Sequence, residues 1–236
     1  MNELDNLRKE LNRNTNKEKA INYQKYFKNS KDDIFLGISA PIIRKIAKEF
    51  YQLKKRDILI LMKSKVHDEH SIANVVLCNQ FKKLDDEGKT KIFHFYIKNR
   101  RYIRDWNSVD GSAPYIVGPY LIHRDKKLLY QLARSNRIWD RRIAIVSTLH
   151  FIRQGHLTDT LKLAILLLDD QEDLIHKAVG WMLREVGKKD IFVLKKFINK
   201  NHQKMPRTML RYAIERFSPD ERKPYLIKQR GKNHKS

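Results

Sequence analysis

A tryptophan and an aspartate stand four residues apart in the segment RRYIRDWNSVDGSAP. Trp106 and Asp110 share a face if one helix continues through both. A second helix is predicted just after Gly111, and a carboxylate near a helix N-terminus is stabilised in its charged form. Three nearby arginines favour ionisation as well: Arg100, Arg101 and Arg104. An ionised carboxylate beside an aromatic ring is suited to a cationic species, whereas the alternative is a simple Asp-Gly turn.

A second tryptophan, Trp139, stands among arginines in SNRIWDRRIAIVSTLHFIR. Of these, Arg142 projects onto the apolar side of its predicted helix, next to Arg141 in sequence. An arginine in that position either pairs with a buried acid or lies where a groove opens. The groove is the favoured interpretation, because the only acid nearby in sequence is Asp140.

The third tryptophan lies in HKAVGWMLREVGK, opposite the apolar stripe of a predicted helix. Trp181 shares its face with Lys177, Arg184 and Lys188. One interpretation is that a neighbouring helix covers the ring. The other is that the ring and the cations face a polyanion with flat parts, such as nucleic acid.

No motif indicates a metal or an organic cofactor. HDEH, 67–70, has two histidines one turn apart, but no third zinc ligand is evident and a helix start explains its acids. The single cysteine, Cys78, is predicted to be a small core residue. We therefore expect no metal and no cofactor.

The composition indicates a polyanion as partner. The 236 residues include 50 lysines and arginines against 27 acids, a formal net charge of +23. DNA, RNA and an anionic membrane surface are the candidates, and a generally basic proteome is the alternative. The N-terminus has no apolar leader and the longest apolar run, LAILLL, is far too short to span a bilayer, so we expect a cytoplasmic protein.

Helical periodicity runs through nearly the whole chain, and strand signals are few. The predicted helices are 3–13, 16–28, 40–53, 55–63, 68–83, 87–98, 102–109, 113–122, 126–134, 138–154, 157–168, 171–187, 190–199, 206–216 and 219–227. Gly155 and Gly187 fit helix ends.

Short helices joined by short turns predict an all-α solenoid of antiparallel helix pairs, whose concave face makes an extended groove. Two repeat units are suggested, 126–168 and 171–216. We expect one domain over residues 1–227 and a basic, disordered tail over 228–236.

Five segments together resemble the DNA alkylation repair family, over roughly residues 16–218. The W-x-x-x-D and G-W-x-L-R-E elements are specific as a set, in this order and spacing. The segments are FLGISAPIIRKIAKEF, DWNSVDGSAP, IWDRRIAIVST, KAVGWMLREVGKKD and PRTMLRYAIERF. The "GISAP" part departs from the family pattern, since Ser39 and Ala40 replace a more polar pair.

The resemblance implies a right-handed superhelix of HEAT-like repeats with a basic concave groove for duplex DNA. It implies a DNA glycosylase, without a cofactor, that removes N3- and N7-alkylated purines such as 3-methyladenine and 7-methylguanine without flipping the base. We expect the protein to be a monomer without an obligate protein partner. Trp106, Asp110 and Trp181 match the family's active-site residues, and Arg142 and Arg184 match its phosphate contacts.

Lys177, Lys188 and Arg141 are further expected DNA contacts, from their positions beside Trp181 and Trp139. The rival hypothesis is a non-catalytic helical-repeat protein that binds branched or distorted DNA. Asp110 distinguishes the two, because a pure binder gains nothing from a carboxylate that repels phosphates.

Overall fold

The computed structural model of the chain describes residues 2–27 and 32–226. Within these ranges the α-helices are α1 Glu3–Arg13, α2 Lys17–Tyr26, α3 Ala40–Glu49, α4 Lys55–Lys63, α5 His67–Lys83, α6 Asp86–Asn99, α7 Trp106–Asp110, α8 Ala113–Leu121, α9 Lys127–Leu132, α10 Ile138–Arg153, α11 Thr158–Leu166, α12 Asp173–Lys189, α13 Ile191–Asn201, α14 Arg207–Ala213 and α15 Pro219–Leu226. β-structure in the same ranges is limited to an isolated bridge between Ile34 and Val66. The predicted all-α class is confirmed, while the predicted tail, 228–236, lies outside the described residues.

Most predicted helices are confirmed to within a few residues, but the helix predicted over 102–109 is wrong. A short 3-10 turn covers Arg100–Tyr102, and α7 begins only at Trp106. The cause is Asp105, whose carboxylate accepts the backbone N–H of Ser108 at 2.7 Å and so fixes a new helix start. Gly155, with φ +85°, follows the end of α10 as expected, whereas Gly187 lies inside α12.

The helices form a two-layer solenoid. In one layer α3, α5, α8, α10, α12 and α14 pack against one another in that order. In the other layer α4, α6, α9, α11 and α13 each pack on this first layer. The predicted solenoid is therefore confirmed, and the handedness of the superhelix and its basic groove stay predictions.

Two helix pairs of the first layer approach closely at glycines. A Cβ atom added to Gly180 of α12 would lie 2.5 Å from the Met209 carbonyl oxygen of α14 and 2.5 Å from Tyr212 Cβ. A Cβ atom added to Gly118 of α8 would lie 2.5 Å from the Ser147 carbonyl oxygen of α10. These contacts fix the spacing of the layer that carries the candidate site.

The faces of α12 are those predicted. Its apolar stripe is buried and comprises Ile175, Val179, Met182 and Val186. Trp181 and Arg184 are half-buried and Lys188 is exposed on another side of the helix. Over the described ranges, every helix is too short or too polar to cross a membrane.

Candidate active site

An aromatic cavity of about 590 Å³ opens beside Asp110. Its wall is built by α2 and Phe27 directly after it, by α3, by α5, and by α7 with the first turn of α8. The lining residues that bear on chemistry are Tyr23, Tyr26, Phe27, Asn74, Trp106, Asp110 and Tyr115. The structure thus brings Trp106 and Asp110 to one cavity, as their spacing predicted.

A five-residue helix, α7, presents both side chains. It starts at the buried carboxylate of Asp105, which accepts the N–H of Ser108 at 2.7 Å and its hydroxyl at 2.6 Å. It ends above a second buried hydroxyl, since Ser112 donates to the Ser108 carbonyl at 2.5 Å and bonds the Tyr96 hydroxyl at 2.8 Å. So short a helix is not stable alone, and these bonds hold it in place.

Asp110 is held by Arg142 through two parallel hydrogen bonds. Arg142 donates from Nε to Oδ1 at 2.9 Å and from Nη2 to Oδ2 at 2.8 Å. Its Nη1 donates to the Leu174 carbonyl on α12 at 2.5 Å, so its donor groups are turned inward. The Arg142 side chain is 6% exposed and that of Asp110 is 20% exposed. Arg142 thus pairs with an acid, as in the less favoured sequence interpretation, and the acid is the partly buried Asp110 rather than Asp140.

Asp110 has an unusual electrostatic environment. Burial raises its pKa above the ordinary value of an aspartate, and the nearby charge of Asp105 acts in the same direction. The guanidinium of Arg142 opposes this rise through its charge and its hydrogen bonds. A carboxylate of raised pKa is a stronger base, and the arginine favours its charged form.

The arginines expected to keep Asp110 ionised do not do so. Arg100 lies 3.3 Å from Asp140, and Arg104 pairs with Asp33 at 2.9 Å. Arg101 stacks over the ring of its neighbour Tyr102. This expectation was wrong because it relied on nearness in sequence.

Trp106 is part of an aromatic stack. Its indole lies parallel to the ring of Phe27, with 5.1 Å between centroids. Phe27 in turn contacts the His67 imidazole at 4.3 Å, and His67 stacks on Phe35 at 4.6 Å. Since Phe27 covers one face of the indole, a ligand in the cavity would use the other.

Trp181 is half-buried, packs against the core, and is not part of the cavity wall. It shares its helix face with Lys177, as predicted. Two turns before Trp181 on the same helix, the carbonyl oxygen of Leu174 accepts a hydrogen bond from Arg142. The helix face that carries Trp181 therefore begins next to the Asp110–Arg142 pair. Trp139 differs, since it is 7% exposed and belongs to the core.

The other predicted DNA contacts all have acidic partners within the chain. Arg141 binds Asp170 through two hydrogen bonds, at 2.6 and 3.2 Å. Arg184 pairs with Glu215. The two lysines pair on their own helix, Lys177 with Asp173 at 2.8 Å and Lys188 with Glu185 at 2.6 Å.

The HDEH segment is a buried structural cluster. Asp68 accepts the backbone N–H groups of Leu36 and Ile38, at 2.7 and 3.0 Å. Glu69 receives two hydrogen bonds from Arg8, which docks α1 on α5. Among the described residues, no group of three or more His, Cys, Asp or Glu could hold a metal ion.

Cys78 lines the cavity, but its thiol is expected to be unreactive. Burial raises the pKa of its thiol to about 12, so the reactive thiolate is disfavoured. Its sulfur lies 3.5 Å from the Gly111 carbonyl oxygen, next to Asp110.

Sequence reasoning missed the aromatic residues of α2 and the buried amide of Asn74. Tyr23, Tyr26 and Phe27 line the cavity together with residues of α5. The contact of Phe27 with His67 of α5, with 4.3 Å between ring centroids, is a tertiary contact that no local pattern predicts. Asn74 could have been found from α5 itself, because it shares one helical face with His67 and Cys78.

Comparisons with known proteins agree with this architecture. Residues 7–217 match the family model for the DNA alkylation repair enzyme. The solved structure of a predicted DNA alkylation repair enzyme from Enterococcus faecalis superposes with a TM-score of 0.67 at 17% sequence identity, covering 87% of this chain and 97% of that one. At this identity the structural match bears on the fold alone. No curated protein sequence matches the chain.

Proposed function

Because the chain belongs to the DNA alkylation repair enzyme family, we propose that it is a DNA glycosylase. Its substrates would be duplex DNA with positively charged N3- or N7-alkylated purines, such as 3-methyladenine and 7-methylguanine. The base would leave without being flipped into a pocket.

The reaction needs little assistance at the leaving group. An N-alkylated purine already carries a positive charge, so it departs as a neutral base with the electron pair of the C1′–N bond. Positive charge then develops on the deoxyribose, as in other glycoside hydrolysis. Ionised Asp110 stabilises this charge and accepts the proton of the water that attacks C1′. No metal or organic cofactor takes part in this scheme.

The observation that carries the proposal is the placement of Asp110. Its carboxylate reaches a cavity lined by Trp106 while Arg142 holds its two oxygens. A carboxylate has about four acceptor positions, so two remain for a water molecule. The position of Trp106 in the cavity wall supports this scheme, since an indole attracts a cationic sugar or base.

We further propose that α12 meets the DNA backbone through Trp181 and its basic neighbours Lys177, Arg184 and Lys188. The acids that pair with Lys177 and Arg184 are 57% and 55% exposed, whereas Glu185, which pairs with the 42% exposed Lys188, is 17% exposed. Ion pairs with at least one solvent-exposed partner contribute about 0–1 kcal/mol. Phosphates can therefore replace them. Arg141 and Arg142 are more deeply held, so Arg142 acts mainly by orienting Asp110.

The decisive experiment is base release from duplex DNA carrying 7-methylguanine. We expect wild type to release the base, and Asp110→Asn to lose most release while keeping DNA affinity. Release by Asp110→Asn at the wild-type rate would exclude the carboxylate from the chemistry. No release by either protein, with duplex binding intact, would favour the rival function of binding distorted DNA.

One control is essential, because Arg142 is 6% exposed and its charge loses its partner in Asp110→Asn. Breaking a buried ion pair from one side costs about 3–5 kcal/mol. The double variant Asp110→Asn/Arg142→Gln removes both charges and keeps a polar pair. It should recover part of the stability and remain inactive, which separates lost chemistry from lost folding.

A further inference from the structure

One face of α5 contacts the segment from Asp105 to Gly111, which contains α7, at three successive points. His67, Ser71, Asn74 and Cys78 share this face, because a helix turns about 100° per residue. His67 Nε2 lies 3.8 Å from Asp105 Oδ1, and Asn107 Nδ2 donates to Ser71 Oγ at 3.4 Å. Further along, Cys78 Sγ lies 3.5 Å from the Gly111 oxygen.

Asn74 lies on this face between Ser71 and Cys78. It therefore faces the part of α7 between Asn107 and Gly111, which includes Asp110. Asn74 and Asp110 both line the 590 Å³ cavity. The two side chains approach the same space from two different helices.

The Asn74 side chain is buried and incompletely bonded. The residue is 3% exposed, and its Oδ1 atom has no hydrogen-bond partner in the part of the chain that the structure describes. A buried hydrogen-bond acceptor without a partner is destabilising, so Oδ1 in this cavity wall calls for a guest that donates a hydrogen bond. Gln80, on the same helix, is different, since its amide donates to the carbonyls of Tyr51 and Leu53 at 2.7 and 2.9 Å.

We propose that Asn74 and Asp110 together bind and orient the water molecule that attacks the sugar. The inference rests on the proposed glycosylase function and adds a second water-binding residue to it. The water donates one hydrogen bond to the Asp110 carboxylate and the other to Asn74 Oδ1. Its free lone pair is then directed at C1′ of the deoxyribose.

The step balances without any further reactant. The water oxygen forms a bond to C1′ as the C1′–N bond breaks and its electron pair leaves with the neutral purine. The water proton bound to Asp110 passes to the carboxylate, which later releases it to solvent. Asn74 keeps its protons throughout and serves only to orient the water.

The test compares Asn74→Leu and Asn74→Ala with the matched control Gln80→Leu. The measurements are single-turnover release of 7-methylguanine, duplex affinity and the thermal midpoint. We expect both Asn74 variants to release the base at least about tenfold more slowly, with unchanged DNA affinity and no lower midpoint. Gln80→Leu should show the reverse, a lower midpoint and an unchanged rate, because it removes satisfied hydrogen bonds outside the cavity.

A second readout reports on the nucleophile itself. In water with added methanol, C1′ is captured by either molecule, and the methyl adduct is counted by mass spectrometry. We expect the Asn74 variants to give a higher ratio of methyl adduct to hydrolysis product, because the bound water has lost one of its two acceptors. A residue with a purely structural role would leave this ratio unchanged.

The outcomes separate this inference from the proposed function. Wild-type release together with wild-type rates in both Asn74 variants would overturn the role of Asn74 alone. Slower release with a lower midpoint and an unchanged methanol ratio would also overturn it, in favour of a structural role. Absence of release by wild type would overturn both the glycosylase and this water site.

Discussion

At the scale of single residues, the partner of each charge decides what that charge can do. Asp110 and Arg142 are 32 residues apart in sequence, yet they form the ion pair at the centre of the candidate site. Burial pushes the pKa of the carboxylate up and the arginine pushes it down. The pair can thus set the pH range in which the base is available.

The first prediction concerns Arg142→Gln. Removing the guanidinium removes the interaction that lowers the pKa of Asp110, so this pKa rises further and a smaller fraction of the carboxylate is ionised near neutral pH. The acidic limb of the pH–rate profile for base release should move to higher pH. Single-turnover rates between about pH 5 and 9 measure this, at a temperature where circular dichroism shows the variant folded.

Arg142→Lys is the control for that experiment, because it keeps the charge and loses the two parallel bonds. Its acidic limb should lie between those of wild type and Arg142→Gln. An acidic limb in Arg142→Gln at the wild-type pH would mean that Asp110 does not act as the base.

At the scale of elements, α7 shows why a local pattern misled. A periodic apolar pattern over 102–109 favours one continuous helix, but the observed helix starts later, at Trp106. Asp105 has the residue type of an N-cap, and a cap there can be anticipated from sequence. The burial of Asp105 cannot be anticipated from sequence, because it comes from the contacts of Asp105 with His67 on α5 and with Ser108 on α7.

The second prediction tests the close approach of α12 and α14. In Gly180→Ala the new methyl would meet the Met209 carbonyl oxygen, which is backbone and cannot turn aside. We expect a loss of about 1–3 kcal/mol in the free energy of unfolding, measured by urea denaturation. The fluorescence of neighbouring Trp181 should change as the helices separate.

Gly187→Ala on the same helix is the matched control. Its methyl would meet Leu194 Cδ2, the far end of a flexible side chain, and alanine also favours the helix by about 1 kcal/mol. This variant should be as stable as wild type or slightly more so. Equal stability of the two alanine variants would contradict a backbone contact at Gly180.

At the scale of the whole molecule, sequence predicted the fold better than the site. The all-α class and the order of helices followed from periodicity, which is local. The pairing of Asp110 with Arg142, the pairing of Arg184 with Glu215, and the approach of Phe27 to Trp106 all depend on tertiary packing. Sequence alone therefore predicts poorly whether a charged side chain is free to bind a ligand or is already paired within the fold.

The last prediction concerns the net charge of +23 and how much of it reaches DNA. Arg184 pairs with Glu215, and their side chains are 21% and 55% exposed. DNA must compete with that acid for the guanidinium. We expect Arg184→Ala to weaken duplex binding and to lower the salt slope of log Kd by about one, whereas Glu215→Gln should tighten binding by freeing the same arginine. Fluorescence anisotropy at several salt concentrations measures both.

Asp125→Asn is the control for overall charge. It changes the net charge by the same amount as Glu215→Gln, but Asp125 pairs with Lys127 and lies outside α12. If Asp125→Asn tightens binding as much as Glu215→Gln does, overall charge accounts for the effect and Arg184 has no special contact with phosphate.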